Sequence, residues 1–350
     1  MKVKIKSKRT FGVEVEFNNR SRYEGQSNSD NSLAQKLQSM TGQEVKFERY
    51  THDNNSGRTW WRITTDGSSD LELVSPVMGR YETPQESMTD RCKVMWEALQ
   101  SIDGISIGVR EGIHVHIGCR DLDSRQAVNV LKLYQKHEQE IDSVMAPSRR
   151  GVHGGQGYAK SNLRDIYFGE GRLRNRWDGN TTGNQVTKRT MQYYWERLNK
   201  FIVEDDYENR FSNISQIARW QQRTDGNEGR YRKVNFCSYL DYRTIEFRQH
   251  GSSIDYEKIG TWVAFLGNLV DRAAKAKQVQ ISRAGGVGTG TVVQHPNYVH
   301  ISEEDNRKNY IGIFGVGQSR KILKYMTERA ERFGFNTGGA YEYATAQRIV

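Results

Sequence analysis

Cysteine is scarce in this chain, and long apolar runs are missing. Three cysteines, Cys92, Cys119 and Cys237, stand in 350 residues without CxxC spacing. That odd count supports neither a disulfide framework nor a thiolate-rich zinc site, and a reducing, cytoplasmic compartment is the expectation. The longest apolar stretch, Trp262 to Val270, is interrupted by Gly267 and Asn268. It falls far short of the roughly 20 residues of a membrane-spanning helix, so no membrane role is expected. The start, Met1 to Arg9, alternates lysine with valine and isoleucine and has no apolar segment with a small-residue cleavage site. It reads as a strand with a solvated lysine face rather than as a signal peptide. No internal repeat of solenoid length is present. The glycine-rich stretch Gly285 to Gly290 lacks the Gly-Lys-Ser/Thr ending of a phosphate loop and reads as a flexible linker. No Ser/His/Asp or Cys/His arrangement stands out, which leaves the chain without an evident nucleophilic triad.

What the chain does have is positive charge. Lysine and arginine number 52 against 42 acids, a net charge of +10, and the 35% hydrophobic fraction with 33 glycines makes for a polar core. The length suits two average domains or one elaborated α+β domain. From Arg149 to Lys233 there are 13 arginines and 4 lysines against 10 acids, a surplus of seven. Arginine is the side chain suited to bidentate contacts with phosphate or carboxylate, so this middle segment is the phosphate-facing candidate, with a solvated basic surface as the alternative. Composition alone does not choose among DNA, RNA, an acidic surface and a phosphate-rich small substrate.

Periodicity predicts a strand over Phe11–Phe17, a polar loop over Asn18–Ser32 and a helix over Leu33–Met40. A hairpin of Trp60–Thr65 and Leu71–Ser75 is expected around the Asp66-Gly67 turn, ended by Pro76. Helices are expected over Pro84–Leu99 and over Ser124–Met145, the latter capped at Asp123–Ser124, with the strand Ile113–Gly118 between them. Residues 148–190 read as long functional loops. Beyond them a helix over Met191–Phe201, strands over Lys233–Tyr239 and Thr244–Arg248, an amphipathic helix over Tyr256–Lys277 and a terminal helix over Ser319–Phe333 complete the reading.

Three of these strands carry polar groups at i and i+2: Glu14 with Glu16, His114 with His116, and Glu246 with Arg248. Residues two apart on a strand share a face, so each segment presents its pair together. Glu72 adds a further carboxylate between apolar neighbours. Taken alone, Glu14 and Glu16 fit an ordinary solvated strand face, and His114 and His116 fit buried histidines satisfied by hydrogen bonds. Taken together, carboxylates, imidazoles and an arginine are the types that hold divalent cations and phosphates. Four bunched carboxylates repel one another unless cations lie between them, and such a set favours Mg2+ or Mn2+ over thiolate-type zinc. Divalent ions beside arginines are the usual apparatus for moving the terminal phosphate of a nucleotide. Cys119, nearby, reads as a small buried apolar residue.

Phe-Gly-Val-Glu-Val-Glu-Phe at 11–17, Asp-Gly-Ser at 66–68 with Glu-Leu-Val-Ser-Pro at 72–76, Gly-Ile-His-Val-His-Ile at 112–117, Arg-Tyr-Arg-Lys-Val-Asn at 230–235 and Thr-Ile-Glu-Phe-Arg at 244–248 resemble, in order and spacing, the amidoligase family. Those enzymes are carboxylate–amine ligases related to glutamine synthetase and glutamate–cysteine ligase, and the resemblance spans roughly residues 10–275. It implies an α+β fold, a curved antiparallel sheet of glutamine synthetase type with helices packed on one face. It implies an enzyme that uses ATP to activate a carboxylate as an acyl phosphate, which an amine then attacks. By position, Glu14, Glu16, Glu72, His114 and Glu246 correspond to metal ligands. His116, Arg230, Arg232, Asn235 and Arg248 correspond to contacts with ATP, with Arg232 and Arg248 also at the acyl phosphate. Asp66 and Ser68 correspond to groups that orient substrate or metal-bound water. On this reading residues 1–280 form the catalytic domain. Residues 281–350 form an extension for homo-oligomer formation or for docking a large substrate.

Two other functions fit parts of the pattern. A metal-dependent hydrolase would use His114 and His116 with the glutamates, and a nucleic-acid-binding protein would exploit the basic charge.

Overall fold

In the computed structural model of the chain, the described residues are 7–20, 29–49, 58–65, 70–79, 88–150, 159–162, 188–224, 226–282, 284 and 302–349. Asp66, Ser68, the first six residues, most of the loops expected at 18–32 and 148–190, and the glycine stretch 285–290 lie outside them. In chain order the strands are β1 (Phe11–Asn19), β2 (Val45–Phe47), β3 (Trp61–Thr65), β4 (Leu71–Val74), β5 (Ile105–Ser106), β6 (Gly112–Gly118), β7 (Val234–Asn235) and β8 (Thr244–Gly251). The helices are α1 (Ser29–Thr41), α2 (Met88–Gln100), α3 (Ser124–Lys136), α4 (Glu138–Ser143), α5 (Lys188–Asn199), α6 (Arg210–Thr224), α7 (Ser238–Tyr242), α8 (Tyr256–Lys275), α9 (Glu303–Tyr310), α10 (Arg320–Arg332) and α11 (Ala340–Ala346).

The strands form one sheet in the order β2-β3-β4-β1-β6-β8-β7, with β5 paired to the end of β1. The α+β class agrees with expectation, but the sheet is mixed rather than antiparallel throughout. Strand β2 runs parallel to β3, with Val45 opposite Trp61 and Phe47 opposite Ile63. The connection through residues 48–60 has the length that a return crossing requires. Every other pairing between these strands is antiparallel.

Alternation along the strands divides the sheet into two faces. Val13, Val15, Phe17, Ile63, Leu71, Leu73, Ile113, Val115, Ile117, Ile245 and Phe247 are buried in the apolar core. That core includes Leu37 of α1, Trp96 of α2, Leu131 of α3 and Trp262 of α8. Trp96 meets Trp61 edge-on at 6.3 Å. Helix α8 begins where the Asp255 side chain accepts from the amides of Glu257 and Lys258, and it buries Ile259, Val263, Leu266, Leu269 and Val270 as its amphipathic spacing predicts. The C-terminal helices reach the same core. Phe314 packs on Phe265 at 5.2 Å, the Tyr310 hydroxyl donates to Ser143 Oγ at 2.6 Å, and Asn268 donates to Gln318 at 2.8 Å.

Two segments depart from the sequence reading. The helix expected over Ser124–Met145 starts at Asp123 with a full capping box to Gln126, then breaks at His137, whose φ of −114° and ψ of 17° leave the helical region. The short helix α4 that follows directs Glu138 and Asp142 at the buried Lys233 amine, at 2.7 and 2.5 Å. The strand expected over Lys233–Tyr239 shrinks to Val234–Asn235. There the Asn235 side chain accepts from the Cys237 amide, and the Ser238 hydroxyl caps the carbonyls of Asn235 and Thr244. These side-chain bonds give the backbone a turn in place of a ladder, and α7 follows.

Candidate functional site

The face of the sheet opposite the core collects the acidic and histidine side chains. Register does this: Glu14 lies opposite His114, Glu16 opposite Glu72, His116 opposite Glu246, and Glu246 opposite Asn235. Each side chain stands on its face because its neighbours Val13, Val15, Leu71, Leu73, Ile113, Val115 and Phe247 are held in the core. Side chains directly opposite on antiparallel strands sit about 4.5–5.5 Å apart at Cβ, so five strands deliver their polar groups into one patch.

His114 is at its centre. Its Nδ1 lies 3.1 Å from Glu14 Oε2, 3.7 Å from Glu246 Oε1 and 4.0 Å from Glu72 Oε1, while its Nε2 is 3.6 Å from Glu16 Oε1. His116 Nε2 lies 3.5 Å from Glu14 Oε1, and its Nδ1 meets the Thr244 hydroxyl at 2.9 Å. Arg248 Nη1 donates to Glu246 Oε1, and Asn235 donates to Glu246 Oε2 at 2.6 Å. Two sets of ligand atoms, Glu14–Glu72–His114 and Glu14–His116–Glu246, each fall within 4.8 Å of one another. Glu14 is common to both. Its side chain is 24% exposed, against 5–9% for Glu16, Glu72, His114 and Glu246, so the shared carboxylate is the one open to solvent.

Electrostatics follow from this crowding. Burial pushes the Glu14 carboxyl up, but the hydrogen bonds and charges of His114 and His116 outweigh it and hold the group well below the usual carboxylate range. Burial opposes ionisation of Glu246 too, and Arg248 together with the histidines brings it down. His116 is raised, since its bond to Glu14 overcomes the burial that would lower it. Arg248 is raised against burial by Glu246, Glu14 and Glu16.

Strand β8 has an irregularity here. Val115 pairs with Phe247 and Ile113 with His250, so Arg248 and Gln249 together span the position of His114. Such a bulge re-aims side chains. Arg248 stays on Glu246, Gln249 turns to Asp142, and the His250 ring packs on Trp262 at 5.5 Å.

The structure therefore brings together Glu14, Glu16, Glu72, His114, His116, Asn235, Glu246 and Arg248. Arg232 is buried and donates to the Ser161 carbonyl at 2.9 Å. Arg230 is exposed, with its guanidinium 4.9 Å from the Tyr231 ring, and the same ring lies 5.9 Å from the Arg248 guanidinium. Asp66 and Ser68 fall outside the described residues. Of the described cations in the basic middle segment, Arg149 lies beside the patch, Lys233 binds Glu138 and Asp142, and Arg210 pairs with Asp205.

Arg149 escaped the residue-by-residue reading. It is buried, and a Cβ at Gly112 would stand 3.1 Å from its Nη1 and 3.4 Å from Glu16 Oε2. A methyl group at 112 would press on both side chains and shift them by a few tenths of an ångström, and the Gly112 amide donates to Glu16. The sequence signal was the glycine preceding the His-Val-His strand.

Chemically, the patch holds four carboxylates against the guanidiniums of Arg248 and Arg149, with imidazoles between them. Oxygen-rich sets with imidazole are of the kind that suits a hard divalent cation. The three cysteines are free, buried and take no part, and burial pushes the Cys119 thiol up to about 12. Among the described residues no helix is long and apolar enough to cross a membrane. No curated protein matches the chain. A family model described as "putative amidoligase enzyme" matches residues 7–270, from just before β1 to within α8, and the chain belongs to that family.

Proposed function

We propose that this protein is an ATP-dependent carboxylate–amine ligase, with Mg2+ or Mn2+ held by Glu14, Glu16, Glu72, His114 and Glu246. The observation that carries the reading is the convergence of these groups on one sheet face with Arg248 beside them. The divalent ions would neutralise phosphate oxygens and the charge developing in phosphoryl transfer. Within the chain, Glu14 and Glu246 stay ionised and ready to bind cations, and Asn235 and Gly112 aim the carboxylates of Glu246 and Glu16. Arg248 and His116 offer positive charge to the terminal phosphate of ATP. The acid's carboxylate oxygen takes that phosphoryl group from ATP, releasing ADP. The amine then attacks the acyl carbon, the bond to phosphate breaks, and amide and phosphate are the products. Such chemistry requires positioning and charge neutralisation rather than a nucleophilic side chain.

The antiparallel run β3-β4-β1-β6-β8-β7, acids on one face and helices on the other, supports a glutamine synthetase-like sheet. The test is release of ADP and phosphate with Mg2+ across a panel of acids and amines, with Glu14→Gln as control. Turnover that needs both an acid and an amine is expected. Metal-dependent cleavage without nucleotide would replace this reading with a hydrolase.

A further inference from the structure

Residues 302–349 lie beyond the span shared with the family, and they pack back onto the chain just behind the acidic patch. Their contacts fall on the stretch that leaves α4. The Tyr310 hydroxyl donates to Ser143 Oγ at 2.6 Å, and Arg329 Nε donates to the Val144 carbonyl. The next carbonyl, of Met145, accepts from Arg150 Nε at 2.8 Å.

Helix α10 ends in a way that brings two rings to Arg150. Gly334 has a φ of +83°, its amide donates to the Glu331 carbonyl at 2.9 Å, and the Phe335 amide donates to the Ala330 carbonyl at 3.1 Å. This pair of bonds is a Schellman close, which glycine favours because it enters the left-handed region without a Cβ penalty. The chain reverses there, and the residues on either side of the glycine turn to the same guanidinium. The Phe333 ring lies 4.6 Å and the Phe335 ring 4.8 Å from Arg150 Cζ. Arg150 is buried, and a desolvated guanidinium is held more firmly by ring faces than an exposed one.

Arg150 directly follows Arg149. The two close a single 3-10 turn, Pro147–Arg149, in which the Arg149 amide donates to Ala146 at 2.9 Å and the Arg150 amide to Pro147 at 3.3 Å. So short a turn is weak by itself. From the sheet Gln249 donates to the Arg149 carbonyl at 3.2 Å, and from outside the C-terminal segment grips Arg150. The Arg149 side chain then runs past Gly251, where a Cβ would stand 3.8 Å from its Cγ, and its Nη2 donates to the Arg110 carbonyl. Burial lowers the Arg149 guanidinium from its ordinary range, and Glu16 is the largest charge opposing that shift. Guanidinium and Gly112 amide meet the Glu16 carboxylate at one point of the backbone.

We propose that Arg150, Phe333 and Phe335 are positioning residues for Arg149 and, through it, for the Glu16 carboxylate, so that the C-terminal segment completes the site from behind. This rests on the ligase reading only for the divalent cation that Glu16 would help to hold. The segment acts through backbone placement, and neither ring carries a charge that the patch would lose.

The test replaces Phe333 and Phe335 together by leucine, which keeps apolar bulk, removes the ring faces and leaves the charge of the site unaltered. Two readouts are taken on the full chain: exchange of the Gly112 amide by NMR, and Mn2+ binding by calorimetry. The leucine pair is expected to speed Gly112 exchange and to weaken Mn2+ binding by about 10-fold, the scale of loss when the outer partner of a metal ligand is disturbed. Tyrosine at both positions keeps the ring faces and the unaltered values. Leu323→Ala, a buried position of α10 away from the rings, lowers the melting temperature and changes neither readout. In an Arg149→Met background the leucine pair has no further effect. Should the pair fail to fold, Phe335→Leu alone makes the same comparison. A leucine pair that melts lower yet binds Mn2+ and protects Gly112 as before overturns the proposal, as does a loss that persists undiminished in the Arg149→Met background or is matched by Leu323→Ala. If the unaltered protein binds no Mn2+ and releases no ADP with any acid and amine, the ligase reading fails; faster Gly112 exchange confined to the leucine pair then still upholds the positioning role, and unchanged exchange overturns it.

Discussion

Two buried sets of charged groups meet along β8, and they differ in how they are neutralised. On the helix side, Lys233 donates to Glu138 and Asp142, Gln249 donates to Asp142 and to the Arg149 carbonyl, and Tyr134 donates to Gln249. Cation and acids meet inside the protein, and the Lys233 amine is fully buried. On the open side, Glu14, Glu16, Glu72 and Glu246 crowd around His114, and Glu14 faces solvent. The first set is tied together by hydrogen bonds within the chain, with Glu138 Oε2 left without a partner among the described residues, and it serves the fold. The second presents carboxylates, imidazoles and a guanidinium together on an open face, the residue types that a binding site for cations and phosphates uses. The bulge at Arg248–Gln249 separates them, sending one residue to each.

This contrast can be broken by experiment. The largest effect is expected from Lys233→Met, which strands Glu138 and Asp142 in the interior and should cost about 3–5 kcal/mol in urea unfolding. Replacing Glu138 and Asp142 by their amides in the same chain should recover most of that. A loss below about 1 kcal/mol would mean that the helix-side set is not a closed structural unit.

On the open side the cost should fall on activity. Glu14→Gln is expected to lower ATP-dependent turnover by about 10²–10³-fold, some 2.7–4 kcal/mol of barrier. Its stability should change less than that of Lys233→Met.

Adding Mg2+ at a hundredfold excess over its dissociation constant should stabilise the protein by about 2.7 kcal/mol, reversed by a chelator. Glu72→Gln should abolish the gain and Lys233→Met should retain it. Equal responses in both variants would erase the distinction between the two sets.

The smallest effect concerns His250, just past the bulge. Burial, aided by Arg329, drives its imidazole down to about 3. The unfolded chain binds that proton near its ordinary 6.5 and the folded protein does not, so stability is full above 6.5 and falls as pH drops toward 3. By about pH 5.5 the loss should be about 1.4 kcal/mol. His250→Gln should flatten that limb of the curve of stability against pH, measured by denaturant unfolding.

Much of the site was legible in the sequence because its elements are local. Alternation alone paired Glu14 with Glu16, His114 with His116 and Glu246 with Arg248, and the Asp-Gly turn signal marked the hairpin of β3 and β4. The mixed sheet was not legible, since the direction of the three-residue β2 depends on where its partner lies. Nor was the break at His137, where no proline or glycine stands and a distant lysine receives Glu138 and Asp142. Phe333 and Phe335 sat at the end of the expected terminal helix, outside any motif. Nothing within a few residues of them shows that they end on Arg150.

By itself, then, the sequence determined which side chains share a face, because strand alternation is set by backbone geometry over a few residues. Only the tertiary structure decided which faces meet. Glu14 and His114 are a hundred residues apart, and their contact at 3.1 Å comes from strand register. Register is chosen by burying Val13, Val15, Ile113 and Val115 on the opposite side, and a slip of one residue would turn every acid into the core.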